Sequence, residues 1–596
     1  MEKTSWDLSL LYKTREDFLK EVSSLKEEMK KFASYKGKLG DMKELHSFLA
    51  LLRDYEPRLL TVNSYASQKN DLDQRVIESQ QDAASVENLF ADFSSAVSFV
   101  NPELLSLGED YFKDYFAKHP EDKDYDFEIE KLFANKEHVL SGEKEQLLSY
   151  FSQLENTGAG MYGALSVADD KGKEITLSDG KKVKVTQSSW VMLEETLSNP
   201  DDRKAVFEAL YSHFEEHKNT YGKIYTAVVN AELAEMKARG YSSILEEHLA
   251  QNRIPTSVFE TLIKVASENS APLKKYVQLR KKYLHLKEYH TYERFLKFAH
   301  SDKKYTYEEA KEFFYGSIEH YTPDYQKKAR EVTKEGYVDV YEHEGKISGA
   351  YSTGWNSVHP FILLNFQGTL DDVFTLAHES GHSVHTLYAS ESQPLFKQDY
   401  TIFVAEIAST FNEHNLLDYM MDKGTLSLDE KIMLLQKAID EISSTFYRQT
   451  VFAHFEYNIA RKAERGEPLN YDVFNKEMIS LYKQYYGLDI TKEKLKCYVW
   501  AYIPHLFYTP FYVYQYATSF TASMEFYNRF KKGGIKDFEK YISLLKMGGS
   551  DFPVEEVKKA GVDLTKEETY LSVTNRMSEL VDELEKLLEE KEKESK

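Results

Sequence analysis

The sequence predicts a mainly α-helical protein that carries a small β-sheet. Apolar residues recur at steps of three and four through most of the 596 residues, as in Phe18, Val22, Leu25, Met29 and Phe32. Only 13 Pro and 26 Gly interrupt this pattern, which favours long helices. A hydrophobic content of 42% is enough to bury a large core, so a disordered chain is excluded.

The first departure from helical periodicity is a segment near 164–186 that predicts a β-hairpin. Apolar and polar residues alternate on both sides of Asp179-Gly180, a pair that suits a tight turn. A helix should then begin at Asn199-Pro200, because Asn is a favoured N-cap and Pro a favoured first helical residue. We therefore expect an N-terminal helical domain over 1–198, which contains the hairpin, and a second domain over 199–596.

The second departure predicts a small sheet within 336–366. Residues 337–341 read as a strand, Glu344-Gly345 as a turn, and 346–352 as the returning strand. Residues 360–366 form a third, more apolar strand. We expect these strands to lie directly before a long helix.

Charge and cysteine content exclude several classes of protein. The 76 Lys and Arg against 98 Asp and Glu give a net charge of 76 − 98 = −22, which argues against nucleic acid as a partner. The single cysteine, Cys497, excludes an internal disulfide and a zinc site made of several thiolates. The N-terminus has no apolar signal segment, and no apolar run approaches the roughly 20 residues that span a bilayer. We expect a cytoplasmic protein that has no membrane partner.

The helix after the predicted sheet contains an HExxH motif at 378–382. Thr369 and Asp372 form a capping-box pattern that starts this helix. Two His residues at i and i+4 lie on one helical face, so His378 and His382 can bind one metal ion. The intervening Glu379 can reach a water on that ion, and zinc lowers the pKa of such a water to about 7. The motif therefore predicts a hydrolytic zinc site.

A catalytic zinc requires a third protein ligand and one open position. In one class of these enzymes, the third ligand would be a His at position 388, where this chain has Tyr388. Glu406 lies 406 − 382 = 24 residues after the second His, in an apolar stretch where an unpaired acid is costly. We expect Glu406 to be the third ligand. The alternative is a buried salt bridge between Glu406 and a Lys or Arg.

These motifs resemble those of the thimet oligopeptidase family of HExxH zinc metallopeptidases. The resemblance extends from residue 6 to 517, which is nearly the whole chain. It is carried by residues 378–385 and 405–410, and also by 6–9, 349–354 and the tyrosine-rich segment 503–517.

The resemblance implies a two-lobed helical fold with a deep central channel, and a catalytic zinc peptidase domain at 199–596. It implies one Zn²⁺ per chain, held by His378, His382 and Glu406, with Glu379 as general base. It also implies cleavage of internal bonds in short oligopeptides, because folded proteins cannot enter the channel.

The family also uses a His and Tyr hydroxyls to stabilise the oxyanion of the reaction. His505 matches the family's His directly, and Tyr514 matches one of its Tyr residues if the sequences are aligned on Tyr-x-x-Ala. The matches of Tyr508 and Tyr512 depend on gap placement, because Thr509-Pro510 stands where other branches are rich in glycine. Neutral phenol and imidazole groups can donate such hydrogen bonds without competing for zinc. The alternative is that these rings only pack in a helical core.

Three smaller signals leave alternatives open. Glu413, seven residues after Glu406, could orient a ligand His, although we favour a surface or structural charge. His385 could line the site, although we favour a core or supporting position. Residues 158–163 match G-x-G-x-x-G, but a helix rather than a strand precedes them, so we expect a loop and no nucleotide site.

The sequence leaves two alternatives to an oligopeptide endopeptidase. One is a dipeptidyl carboxypeptidase of the same family, which would need a cation to bind a free C-terminus. The other is a non-catalytic helical peptide-binding protein with a vestigial zinc site, although an intact Glu379 argues against it. Oligomeric state and cleavage preference are not predicted.

Overall fold

The computed structural model describes residues 4–151, 154, 156–355, 358–424 and 426–594. Contacts divide the chain into two compact units, each built from three segments. Unit 1 comprises Met1–Lys136, Lys303–Asp422 and Phe526–Val562, and unit 2 comprises Glu137–Asp302, Lys423–Glu525 and Asp563–Lys596. The sequence-based division after residue 198 is a single cut and stays a prediction.

The first half of the chain is helical, as its periodicity predicts. Asn199 accepts a hydrogen bond from the Asp201 amide and so caps the helix that begins at Pro200, which confirms the predicted helix start. The helices are α1 Arg15–Met29, α2 Met42–Leu72, α3 Ile77–Val97, α4 Val100–Leu107, α5 Glu109–Lys118, α6 Asp126–Ala134, α7 Gly142–Ser149, α8 Thr157–Gly163, α9 Trp190–Thr196, α10 Pro200–Glu216, α11 Lys218–Arg239, α12 Ile244–Ala250, α13 Thr256–Glu268 and α14 Ala271–Tyr283.

The second half is also mostly helical, and a π-helical segment at Ile442–Arg448 joins two of its helices. None of the helices in the described residues is long and apolar enough to cross a bilayer. The helices are α15 Tyr307–Ser317, α16 Pro323–Val332, α17 Leu370–Ser392, α18 Ile402–Asp422, α19 Leu428–Glu441, α20 Gln449–Glu464, α21 Tyr471–Tyr486, α22 Val499–Tyr502, α23 His505–Tyr508, α24 Tyr514–Gly533, α25 Ile535–Leu545, α26 Pro553–Lys559 and α27 Glu567–Glu594.

Unit 2 contains the predicted hairpin. Strands β1 Lys173–Thr176 and β2 Lys182–Val185 pair antiparallel. Gly180 in the connecting turn has φ +85°, a conformation that glycine adopts without steric cost. The hairpin expected from the alternation is confirmed.

The glycine-rich stretch before the hairpin is the helix α8, so the expected loop is wrong. A Cβ atom on Gly158 would lie 2.7 Å from Val228 Cγ2, and one on Gly163 would lie 2.8 Å from the Tyr508 hydroxyl oxygen. Glycine at these positions therefore allows α8 to pack closely against its neighbours. The spacing reflects helix packing and not a phosphate-binding loop.

Unit 1 contains the small sheet, with strands β3 Val338–Asp339, β4 Tyr351–Trp355 and β5 Val358–Leu363 in the order β3–β5–β4. β3 runs parallel to β5, and β4 runs antiparallel to it. The predicted turn is present at Gly345, which has φ +92°.

The predicted pairing of 337–341 with 346–352 is wrong. The segment after the turn bonds elsewhere, because the Ile347 amide donates to the Asp71 carbonyl and the Gly345 carbonyl accepts from the Gln74 amide. The chain becomes a strand only at Tyr351, where it pairs with β5.

The N-terminal segment anchors this sheet. The Trp6 indole N–H donates to the Ile362 carbonyl at 2.8 Å, and the Trp6 amide donates to Asp339 Oδ2 at 3.2 Å. The Lys346 side chain is buried and donates to Asp339 Oδ1 at 2.6 Å. Because Phe361 is also fully buried against Trp6, the sheet has a fixed inner face next to α17.

Candidate metal centre

Helix α17 positions the HExxH motif as predicted. Thr369 and Asp372 form the reciprocal capping box, in which each side chain accepts a hydrogen bond from the other residue's amide. The helix then places His378 and His382 one turn apart on one face. Their Nε2 atoms lie 3.2 Å apart.

Helix α18 brings Glu406 to the two imidazoles. Glu406 Oε2 lies 3.4 Å from His378 Nε2 and 3.6 Å from His382 Nε2. The Ser409 hydroxyl donates to the same oxygen at 2.9 Å and holds its rotamer. Across the part of the chain that the structure describes, Glu406 forms ion pairs with these two His residues and with no Lys or Arg.

Close packing of α17 against α18 depends on Gly381. A Cβ atom at this position would lie 2.5 Å from the Ala408 carbonyl oxygen and 2.8 Å from Ser409 Cα. Only glycine allows the two backbones to approach this closely. The glycine inside the HExxH motif therefore sets the distance between the helix of the two His residues and the helix of Glu406.

The three donor atoms fit a single zinc ion. Their separations are 3.2, 3.4 and 3.6 Å. A tetrahedral zinc bound at about 2.0–2.1 Å requires separations of about 3.3–3.4 Å. Two His and one carboxylate are also a ligand set of catalytic zinc. A cavity of about 390 Å³ opens in front of these atoms, and its other lining residues include Ala350, Tyr351, Ser352, Thr386 and Tyr400.

Glu413 contacts a predicted ligand, contrary to the favoured expectation of a surface or structural charge. Its Oε1 lies 2.6 Å from His378 Nδ1. Asn412, the preceding residue, donates to the Ala377 carbonyl at 3.1 Å and accepts from the Tyr325 hydroxyl at 2.7 Å. Asn412 and Ser409 were not identified from the sequence as supporting residues. Their helical spacing from Glu406 is the only feature of the sequence that could have indicated them.

Burial and the neighbouring charges set the protonation of the three donors. Burial lowers the pKa of His378, but Glu406 and Glu413 outweigh it and raise that pKa well above its usual value. Burial raises the pKa of Glu406, but the two imidazoles lower it to about 2. Burial, together with the nearby His378, lowers the pKa of His382 to about 4. Glu406 is therefore ionised and His382 neutral at pH 7, as metal binding requires, whereas His378 keeps its second proton until a metal ion displaces it.

Glu379 lines the cavity and is only 6% exposed. Burial raises its pKa to about 7, with Glu406 adding to the rise and His378 opposing it. Within the described residues, its Oε2 has no hydrogen-bond partner. The carboxyl group can therefore gain or lose a proton near neutral pH.

Strand β4 is connected to the motif helix by a pair of hydroxyl groups. Ser352 Oγ and Ser383 Oγ lie 2.7 Å apart. Because Ser352 also lines the cavity, this contact fixes the strand relative to the His and Glu side chains.

His385 occupies a core position, as favoured. It is fully buried, and its ring stacks on Tyr400 at a centroid distance of 3.7 Å. Burial lowers its pKa to about 3. The ring is therefore neutral and does not line the cavity.

The aromatic residues predicted as oxyanion donors lie in unit 2, where the structure brings together only some of them. His505 is parallel to Tyr512 at 6.1 Å between ring centroids, and Tyr516 lies 5.6 Å from Tyr512. Tyr508 is instead 49% exposed beside Tyr162, and Tyr514 is buried against Phe259. We define His505, Tyr512 and Tyr516 as the donor cluster.

Comparison with known proteins identifies the family of this chain. Residues 194–575 match the model of Peptidase family M3, and residues 103–171 match a model described as Oligopeptidase F. The fold and the matched family define a metallo-endopeptidase with a mainly helical structure.

The chain belongs to peptidase family M3. It is 35% identical over 579 residues to Group B oligopeptidase PepB of Streptococcus agalactiae, covering 97% of this chain and 96% of that one. A solved structure from Chlamydophila abortus is similar at a TM-score of 0.88 and 31% identity, with 98% of each chain covered. Oligoendopeptidase F of Enterococcus faecium is similar at a TM-score of 0.74 and 28% identity, with 97% and 99% covered. The family resemblance seen in the sequence is confirmed, and within the family the chain is similar to oligoendopeptidase F.

Proposed function

We propose that this protein is a zinc-dependent endopeptidase that hydrolyses internal bonds of short oligopeptides. One Zn²⁺ would be held by His378, His382 and Glu406. The observation that carries the proposal is the triangle of donor atoms with sides of 3.2 to 3.6 Å at the cavity that Glu379 also lines. The family match over 194–575 supports a catalytic domain at 199–596.

A bound zinc would act as a Lewis acid that polarises the scissile carbonyl and acidifies the attacking water. Glu379 would accept the proton of that water and later donate it to the leaving amine. Glu379 lines the same cavity as the three donors, and its Oε2 has no hydrogen-bond partner in the described residues, so this oxygen can accept the proton.

Glu413 would orient the first ligand. It would accept the hydrogen bond of the Nδ1 proton of His378, so that the proton displaced by a metal ion is the one on Nε2. This contact also argues against a vestigial site. A carboxylate that orients His378 is useful only if His378 binds a metal ion.

An extended peptide would bind along β4. This strand is at one side of the sheet order β3–β5–β4, and Ala350, Tyr351 and Ser352 line the cavity. Backbone amides and carbonyls at such an edge can pair with a substrate strand without regard to its sequence. The oligopeptidase and oligoendopeptidase names of the relatives support internal cleavage.

We further propose that the donor cluster supplies hydrogen bonds to the oxyanion. Burial lowers the pKa of His505, so its ring is neutral and can donate an N–H. Tyr512 is the predicted tyrosine in contact with this ring, whereas Tyr508 and Tyr514 remain candidates on the resemblance alone.

The substitution Glu379→Gln tests the chemistry. It should keep zinc and the fold but reduce the hydrolysis of an internally quenched fluorescent peptide by at least about 1000-fold, because the amide cannot accept the proton. Glu391→Gln on the same helix is the control, since Glu391 is exposed and does not line the cavity. Unchanged turnover by the Glu379→Gln variant would contradict the mechanism.

Product analysis distinguishes the remaining alternatives. Mass spectrometry of a ten-residue peptide should show internal fragments, and successive loss of C-terminal dipeptides would indicate a dipeptidyl carboxypeptidase instead. Tight binding of the intact peptide without cleavage, by zinc-loaded protein, would indicate a peptide-binding function.

A further inference from the structure

The turn before Tyr512 contains a bulky residue in an unfavourable backbone conformation. Phe511 has φ +54° and directly follows Pro510. Among the residues that the structure describes, only Arg253 and His285 are other non-glycine residues with positive φ. A side chain with a Cβ atom is disfavoured in this region, so the surroundings must hold the turn.

A buried carboxyl group holds it. The Phe511 amide donates to Glu456 Oε1 at 2.8 Å, and Glu456, on α20, is only 3% exposed. The Phe511 ring packs on His248 at a centroid distance of 5.0 Å and on Phe259 at 5.8 Å. Both the backbone and the ring of Phe511 are therefore fixed by residues far from it in sequence.

This turn determines where the next side chain lies. With Phe511 directed into the core, Tyr512 is half-buried and parallel to His505. Tyr516, the third residue of α24, contacts both rings, with centroid distances of 6.4 Å to His505 and 5.6 Å to Tyr512. The strained Phe511 turn therefore directly precedes the tyrosine that is parallel to His505.

We propose that Glu456 is a positioning residue that holds the Phe511 turn and thereby places the Tyr512 hydroxyl for hydrogen bonding to the substrate oxyanion. This role rests on the peptidase activity and on the donor cluster proposed above. Glu456 contacts no member of the cluster in the described residues; it acts through the backbone of Phe511.

The surroundings of Glu456 indicate that its hydrogen bond to the Phe511 amide, and not a negative charge on its carboxyl group, stabilises the turn. Burial raises the pKa of Glu456 to about 8, so the group is mostly protonated at pH 7. The titratable groups on neighbouring elements are His248, Glu232 and Glu247, and His248 forms its ion pairs with those two carboxylates. Glutamine has the same length and the same carbonyl acceptor, so it should replace Glu456 with little loss.

The experiment compares Glu456→Gln with Glu456→Leu in the full-length, zinc-loaded protein. kcat and KM are measured on an internally quenched peptide, and zinc content is measured in parallel. Glu456→Gln should stay within about threefold of wild type. Glu456→Leu should lower kcat by about 10- to 100-fold with zinc content unchanged, because a misplaced donor is lost mainly in the transition state. Equal activity of the Leu variant and wild type would overturn the proposal, and so would equal losses in both variants.

A double-mutant cycle with Tyr512→Phe separates positioning from a general structural effect. If Glu456 acts through the tyrosine hydroxyl, Glu456→Leu should have little further effect on kcat once Tyr512→Phe is already present. Additive losses would refute the role. If the Leu variant does not fold, Glu456→Ser replaces it, since the Ser hydroxyl is too short to reach the Phe511 amide. Failure of the proposed function itself would appear differently, as full activity of Glu379→Gln or no hydrolysis by wild type.

Discussion

Replacing Gly381 by alanine should separate the two helices of the metal centre. The added Cβ atom would lie 2.5 Å from the Ala408 carbonyl oxygen, whereas an ordinary contact begins at 3.4 Å. The helices must therefore move apart locally by 3.4 − 2.5 = 0.9 Å. The obstructing atoms belong to the α18 backbone, so a side-chain rotation cannot relieve the contact.

That displacement is large compared with what a metal site tolerates. Zinc–ligand distances are held to about ±0.2 Å, so moving Glu406 by several times this amount should weaken zinc binding by at least about 100-fold. Overpacking should also lower the free energy of unfolding by about 1–3 kcal/mol.

Zinc affinity, measured by competition with a chromophoric chelator, is the assay, and circular dichroism checks folding. Gly160→Ala is the matched control, because Gly160 is also helical and a Cβ there would meet no atom within 4 Å. Wild-type zinc affinity in the folded Gly381→Ala protein would refute the packing argument.

Two further substitutions test groups around and away from the site. Glu413→Gln should lower zinc affinity by about 10- to 100-fold without unfolding the protein, because His378 loses the carboxylate at Nδ1. Unchanged affinity in the same chelator competition would show that this contact does not support the ligand. Glu194 is fully buried, its oxygens have no hydrogen-bond partner in the described residues, and burial raises its pKa to about 9. Because the folded state then binds the proton more tightly than the unfolded state, stability should fall as pH rises from about 4.5 to 9, by up to about 1.4 kcal/mol per pH unit. Glu194→Gln should remove this dependence. In urea unfolding, the free energy of unfolding of the variant should therefore rise relative to that of wild type between pH 5 and pH 8, and a constant difference would contradict the raised pKa.

The local features of the fold and of the candidate metal centre could be predicted from sequence because short-range spacing encodes them. The capping box, the two His residues one turn apart and the hairpin turn all depend on neighbours within a few residues. Glu406 could be chosen because an acid in an apolar helix requires a partner. Glu413 was noted by the same spacing, but its contact with His378 depends on the packing of two helices.

Features that depend on distant pairing could not be predicted. β3 is two residues long and joins β5 in parallel, an arrangement that alternation in the sequence cannot distinguish from a hairpin. The glycines of α8 suggested a loop because the side chains that pack against them, such as Val228, come from another helix. Phe511 and Glu456 are 55 residues apart, and nothing in the tyrosine-rich segment indicates that a buried acid holds its turn.

The hydrogen bond from the Trp6 indole to the Ile362 carbonyl limits when the small sheet can be completed during synthesis. It joins residues 356 positions apart, so the sheet beside α17 acquires its anchor only after more than half of the chain has left the ribosome. Contacts of such long range form slowly, since the loop between them must close first. The proposed peptide-binding edge and the proposed metal ligands next to it should therefore mature late, and a nascent chain should have no working centre with which to cleave peptides around it.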